Sequence, residues 1–277
     1  MKKILVTTDF STHSKAGVRF AIQLASQTGA ELIFIHCFQA LIPTTIHRER
    51  IDNALVEQTQ KFRSKLEKFV ADIYKSMKVT PGAHSFVAVE ELNPTTGILD
   101  YAHQHQIDYV CISTRGAGTL RKIIGTNTST IVVKSAVPVL VVPHNWRRQP
   151  IKKMLYASDL ENLDKEMAIV TAFAQAAGIK SDLAHFYYPS EIKLDPVVLA
   201  EMWQKKYPQV GRVYLERFNV GDGFAHQLGN LIDQAKPSLV VFFTHTNQTW
   251  FDKLFSTSRS EAFTFATNVP MLVYRKN

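Results

Sequence analysis

Lys3-Ile-Leu-Val-Thr-Thr-Asp9 and Lys153-Met-Leu-Tyr-Ala-Ser-Asp159 share one pattern: a lysine, an apolar run, a small or hydroxyl-bearing pair and an aspartate. Further columns follow in order. Leu24-Ala25 through Gly29 to Ile33-Phe-Ile-His36 recurs as Phe173-Ala174 through Gly178 to Asp182-Leu-Ala-His185, at an offset of 149. Tyr109-Val-Cys-Ile-Ser-Thr114 recurs as Leu239-Val-Val-Phe-Phe-Thr244. Val137-Pro138-Val-Leu-Val-Val142 recurs as Val269-Pro270-Met-Leu-Val-Tyr274, where the offset has fallen to 132, so the second copy is shorter and the loss falls in its middle. The chain is therefore an internal duplication, which fixes the architecture before any motif is considered. Pro143-His-Asn-Trp-Arg-Arg-Gln-Pro150 is polar with proline at each end and reads as the linker between domains over 1–145 and 150–277.

Within the first copy, short β-branched runs alternate with helical patterns. Lys3 to Thr7, Leu32 to His36, Ser85 to Val89, Tyr109 to Ser113 and Val139 to Val142 read as buried strands. Ser11 is placed to cap a helix running through Ser26. Ile51, Leu55, Phe62, Leu66, Phe69 and Ile73 fall on one helical stripe, with Lys61, Arg63, Lys65 and Lys68 largely elsewhere, as expected of a helix lying on a core with a solvated basic face. Buried strands joined by helices imply a parallel sheet covered on both faces, because right-handed crossovers put helices there. The fold class is thus α/β, with two tandem five-stranded parallel-sheet domains of Rossmann-like type.

Composition excludes several function classes. The 277 residues are 45% apolar and 20% charged, too apolar for disorder and too poor in cysteine for a disulfide scaffold. Cys37 and Cys111 both lie in strand-like runs, where a buried thiol behaves as a small hydrophobe, consistent with a reducing, cytoplasmic compartment. Neither a signal-peptide core nor a stretch of about 18 apolar residues is present, so membrane insertion is not expected. The net charge of +8 is scattered, without an aromatic-interleaved basic module, so nucleic acid is not an expected partner.

In an open α/β sheet, ligands bind beyond the carboxyl ends of the strands, near the point where strand order reverses. Asp9, the His36-Cys37 pair and Ser113-Thr-Arg-Gly116-Ala-Gly118-Thr-Leu-Arg-Lys-Ile-Ile-Gly125-Thr126-Asn127 all lie at such ends. The last segment lacks the third glycine of a dinucleotide fingerprint and has no Gly-Lys-Ser/Thr of a P-loop. Its glycines fit a phosphate cradle opening onto a helix N-terminus, or a tight turn. Asp9 in turn either borders a ligand or caps the following helix.

These residues resemble the universal stress protein family over both copies, and so over nearly the whole chain. The likeness rests on Ile4-Leu-Val-Thr-Thr-Asp9-Phe-Ser11, on the glycine-bearing loop, and on Val137-Pro138-Val-Leu-Val-Val142. The resemblance implies tandem adenine nucleotide alpha hydrolase-like domains that pair within the chain as a pseudo-dimer through their last strands. It further implies ATP as ligand, with a divalent ion such as Mg2+. Carried over by position, Thr7 and Asp9 would border the nucleoside, Cys37 would pack near the base, and Ser113, Gly116, Gly125, Thr126 and Asn127 would hold phosphates, with Arg115 adding charge. Thr126, Thr128 and Ser129 would be the acceptors in any self-phosphorylation.

The loop departs from the family pattern twice. Ser113 stands where a glycine is expected, and eight residues rather than nine, Ala117 to Ile124, separate Gly116 from Gly125. In the second copy Gly116 becomes Thr246 and Gly125-Thr126 becomes Thr257-Ser258, so side chains fill the space a triphosphate needs and a degenerate site is expected. His103 and His105 are spaced so that their rings point apart, and no familiar catalytic motif is present. Two readings stand. One is a nucleotide-binding stress-response module, at most a slow ATPase, in which an adenine nucleotide biases assembly with a second copy or a protein partner. The other is a ligand-independent interaction or scaffold protein.

Overall fold

The computed structural model describes residues 2–40, 48–114, 126–190, 194–244 and 268–276. They divide into two compact units that meet in sequence between Arg148 and Gln149. In the first unit, β1 (Lys3–Thr7), β2 (Glu31–Phe38), β3 (His84–Glu90), β4 (Tyr109–Ser113) and β5 (Val139–Val142) form a sheet in the order β3-β2-β1-β4-β5. Every pairing in it is parallel. The chain lays β2 and β3 on one side of β1 and then returns to place β4 and β5 on the other. Strand order therefore reverses between β1 and β4. All five strands fall where the apolar runs placed them, β2 and β3 extending slightly further at each end. Leu5, Val6, Phe34, Val110, Cys111 and Leu140 are fully buried, as a sheet covered on both faces requires.

The helices cover that sheet. In α1 (Lys15–Thr28), Phe20 and Leu24 point into the core, and Gly29 ends the helix at φ 68°, a left-handed conformation that glycine adopts without strain. The start of α1 differs from the expectation of a Ser11 cap. Residues 9–13 are held in a separate turn, Ser14 takes the cap position, and the Ser11 hydroxyl accepts the Ser14 amide at 3.2 Å. In α2 (Arg48–Met77), Leu66, Val70, Ile73, Tyr74 and Met77 are buried while Lys61, Arg63, Lys65 and Lys68 are exposed. Asn93 caps α3 (Pro94–Gln104) by accepting the Thr95 amide at 3.0 Å, with proline at the first helical position. Helix α4 (Thr126–Lys134) leads into β5. His105 caps the end of α3 and stacks on Tyr101 at 4.0 Å between centroids.

The second unit repeats the plan on a smaller scale. Its strands are β6 (Lys153–Ala157), β7 (Lys180–Tyr187), β8 (Val210–Arg217), β9 (Leu239–Thr244) and β10 (Met271–Arg275), in the order β8-β7-β6-β9-β10 and parallel throughout. Helices α5 (Leu163–Ala177), α6 (Pro196–Lys206) and α7 (Phe224–Ala235) connect them. The loss in the middle of the second copy is visible at α6, which has 11 residues where α2 has 30. Among the described residues no helix is long and apolar enough to cross a membrane.

Candidate functional site

A crevice opens at the carboxyl ends of β1 and β4, where the strand order of the first unit reverses. Thr7, Thr8 and Asp9 line it from the end of β1, and His36 and Cys37 from β2. Ser113 and Thr114 face it from β4, and Asn127 and Thr128 from the first turn of α4. Its apolar wall is completed by Ile98 of α3.

The turn after β1 explains why the strand ends in hydroxyl, aspartate and a large apolar residue. The Thr8 amide continues the β1–β2 ladder by donating to Ile35 O at 3.1 Å, and the Thr8 hydroxyl accepts the Phe10 amide at 3.1 Å. Asp9 Oδ1 accepts the Ser11 amide at 3.0 Å, so this carboxylate closes a local turn and does not cap α1. Phe10 consequently sits at φ 63°, which is strained for a residue with a side chain. The second unit repeats each contact. Ser158 accepts the Leu160 amide at 3.0 Å, Asp159 accepts the Glu161 amide at 3.2 Å, and Leu160 has φ 69°. Partial burial works against the Asp9 carboxylate, but the hydroxyls of Ser11 and Ser14 and the Ser11 amide outweigh it and hold the pKa below the ordinary aspartate range. The crevice therefore carries a fixed negative charge on its β1 side at neutral pH.

His36 and Cys37 serve the walls. His36 Nδ1 lies 2.8 Å from Thr8 O, and because a carbonyl only accepts, Nδ1 carries the proton. The His36 ring packs against Phe10 at 4.2 Å and Phe62 at 5.1 Å. Burial first, and then Lys65, push its pKa below the ordinary histidine value. His185 repeats the bond, 2.9 Å from Ser158 O. A histidine ending this strand is thus a structural tie between neighbouring strand ends. Burial, with a contribution from Glu91, raises the Cys37 thiol to about 11, so it is a neutral, polarisable surface and not a nucleophile. Close approach of α3 to that thiol depends on Gly97, where an added Cβ would stand 3.1 Å from Cys37 Sγ.

Ser113 is committed more fully than its place in the loop implied. Its Oγ accepts the Gly17 amide at 2.6 Å and donates to Ser14 O at 3.3 Å. Gly17 lies in the first turn of α1, where amides have no partner within the helix, so Ser113 caps α1 from across the fold. Gly17 makes this possible: a Cβ there would stand 2.7 Å from Ser113 Oγ.

At the same crevice α4 begins at Thr126 with no acidic residue in its first turn, so its dipole favours an anion. Asn127 is exposed at that end. Thr128 is buried and its hydroxyl donates to Ser113 O at 3.5 Å, which takes it off the surface as a phosphate acceptor. Ser129 is half-buried. The structure thus brings Thr7, Asp9, Cys37, Ser113 and Asn127 to one crevice. Arg115, Gly116, Gly125 and the Thr126 side chain lie outside the described residues, as do Thr246, Thr257 and Ser258 of the second copy. Sequence reasoning missed Thr8, Ser14 and the start of α3; the Asn93-Pro94 pair was a legible signal for the last of these. Among the described residues no group of three or more metal-ligating side chains comes together.

Comparison with known proteins agrees with this fold. Residues 1–143 match the family model described as Universal stress protein family. A universal stress protein from Archaeoglobus fulgidus DSM 4304 has a similar fold over 99% of this chain and 96% of its own, with 15% identity and a TM-score of 0.64. A protein of unknown function from Pseudomonas aeruginosa PAO1 is similar over 99% of this chain and 92% of its own, with 13% identity and a TM-score of 0.61. At such identities the likeness shows the fold. No curated protein matches the sequence.

Proposed function

The chain belongs to the universal stress protein family, and on that premise we propose that it is a nucleotide-binding regulatory module of the stress response. Its first unit holds an adenine nucleotide in the crevice between β1 and β4, with ATP and Mg2+ as the expected form. The observation that carries this reading is the polarity of the crevice. One side carries the Asp9 carboxylate and the neutral Cys37 thiol, and the other is the acid-free N-terminus of α4.

A nucleotide suits such a cleft in one orientation. Its phosphates are repelled by Asp9 and favoured by the α4 amides, Asn127 and Thr126. Its nucleoside then lies towards Thr7, Asp9 and Cys37, where a carboxylate accepts hydrogen bonds from hydroxyl or amino groups and a soft apolar surface receives the base. A magnesium ion would arrive on the phosphates, since Mg2+ is commonly bound through phosphate oxygens and water. By the family resemblance Arg115, Gly116 and Gly125, which lie outside the described residues, would add to the phosphate side. Ser113 contributes the position of α1, its hydroxyl being occupied by Gly17 and Ser14. Occupancy then biases pairing with a second copy or another protein in the cytoplasm.

Thermal melting of the full chain with and without Mg-ATP, beside an Asn127→Trp variant, tests this. A ligand at about 100 times its Kd stabilises the folded state by about 2.7 kcal/mol, several degrees in Tm. The shift is expected in the parent protein and should be lost in the variant, whose indole covers the start of α4. If neither protein moves, the first unit is a ligand-independent assembly module.

A further inference from the structure

The second unit's strand order reverses between β6 and β9, and there the chain supplies its own cation. Lys276 follows β10, tied by its amide to Thr244 O at 2.8 Å, and its side chain is 2% exposed. The ammonium donates to Asp159 at the end of β6 and to Glu161 Oε2 at 3.1 Å, and stands 3.6 Å from Glu166 Oε1 of α5. Glu166 is equally enclosed, 4% exposed, with Oε2 at the Tyr156 hydroxyl and Oε1 accepting no hydrogen bond among the described residues. Three carboxylates thus surround an ammonium group that has three N–H donors. Burial works against the charged Lys276, but Asp159 and Glu161 outweigh it and raise its pKa above the ordinary lysine value.

The same places in the first unit are built differently. Gly17 stands where Glu166 does, Ser113 where Phe243 does, and His144 where Lys276 does. In the first unit Gly17 admits the Ser113 hydroxyl. In the second, the Glu166 side chain occupies the helix position where Gly17 has none, and the Phe243 ring stacks on Tyr274 at 4.8 Å and meets Tyr156 at 5.4 Å. A carboxylate so deeply buried is strongly unfavourable without a cation at hand.

We propose that the carboxylate cluster at the strand ends of the second unit is a primary-ammonium site, filled within the chain by Lys276. Three carboxylates there repel phosphate and select a compact N–H-bearing cation, whereas the first crevice sets one carboxylate beside an anion-favouring helix start. Arginine is a poor replacement, because its planar fork does not match acceptors arranged around a point charge. This holds whether or not the first unit binds a nucleotide.

Chemical rescue of Lys276→Ala in the full chain tests it. The variant should melt about 10 °C lower, as expected when a buried ion pair loses one partner. Excess propylammonium chloride, which restores the removed atoms, should recover most of that loss, and tetramethylammonium chloride at the same ionic strength should not. Equal effects of the two salts, or an alanine variant that melts like the parent, would overturn the proposal. Should Lys276→Ala not accumulate as folded protein, Glu166→Gln/Lys276→Met carries the test. Removing both charges at the buried contact should restore folding, with no response to either salt. A double variant that also stays unfolded, although methionine keeps the bulk of the lysine stem, means that the stranded Glu166 charge is not what unfolds Lys276→Ala, and the proposal fails.

Discussion

Replacing Gly17 by alanine probes the contact on which the crevice of the first unit is framed. The new Cβ would stand 2.7 Å from Ser113 Oγ and 3.2 Å from Ser113 N, so the hydroxyl must leave and the Gly17 amide loses its 2.6 Å acceptor. Loss of the cap costs about 1 kcal/mol and crowding against β4 about 2 more. Alanine in place of glycine in a helix returns about 1, for a net loss near 2 kcal/mol. Ser113→Ala alone removes the same cap without crowding and should cost about 1.5 kcal/mol, because the helix amide is left without a partner. In the double variant the hydroxyl that clashes is already gone while the helix gain remains, so the total should be about 0.5 kcal/mol, about 3 below the sum of the single changes. Trp146, buried and edge-on to Phe20 of α1 at 5.3 Å, reports this unit's unfolding by fluorescence in urea once Trp203 and Trp250 are replaced by phenylalanine. Single-variant effects that add to within about 0.5 kcal/mol would show that Gly17 and Ser113 do not act as one contact.

Two further outcomes follow from the same structure. Asp108 ties the start of β1, accepting from the Lys3 amide at 2.8 Å and from Lys2 Nζ at 2.8 Å. Burial opposes its charge, but Lys2 and the Lys3 amide prevail and depress its pKa below the ordinary 3.8. Its stabilisation is thus complete above that value and lost as pH falls below it. Asp108→Ala should cost about 1 kcal/mol at pH 7, the exposed Lys2 partner adding little, and the difference from the parent should shrink by pH 3 in urea titrations. Asn93→Ala should cost about 1 kcal/mol through loss of the α3 cap and raise amide exchange at Thr95 first. Unchanged exchange there would mean that Pro94 alone holds the start of α3.

The sheets were legible because buried parallel strands write themselves as short β-branched runs, and the Lys3–Asp9 and Lys153–Asp159 repeat doubled the signal. Helix starts were less legible. The turn at Asp9 to His13 uses the same serine and aspartate types that cap helices, so Ser11 read as a cap although Ser14 holds that place. Of the candidate site, Asp9, Cys37, Ser113 and Asn127 were found from strand ends and loop pattern. Their local roles were not, because they depend on residues distant in sequence. Gly17 with Ser113 and Lys276 with Glu166 become partners only when strand ends meet in space, and no periodicity encodes that. The offset between copies held the clue in retrospect, since it places Glu166 over Gly17 and Lys276 over His144.

The most direct test of the nucleotide reading is to titrate the intact protein with Mg-ATP while following backbone amide resonances. Saturable shifts confined to the first unit, at Thr8, Cys37, Ser113 and Asn127, with one nucleotide bound per chain by calorimetry, are the predicted result. No saturable shift, or shifts centred on Asp159 and Lys276, would contradict it.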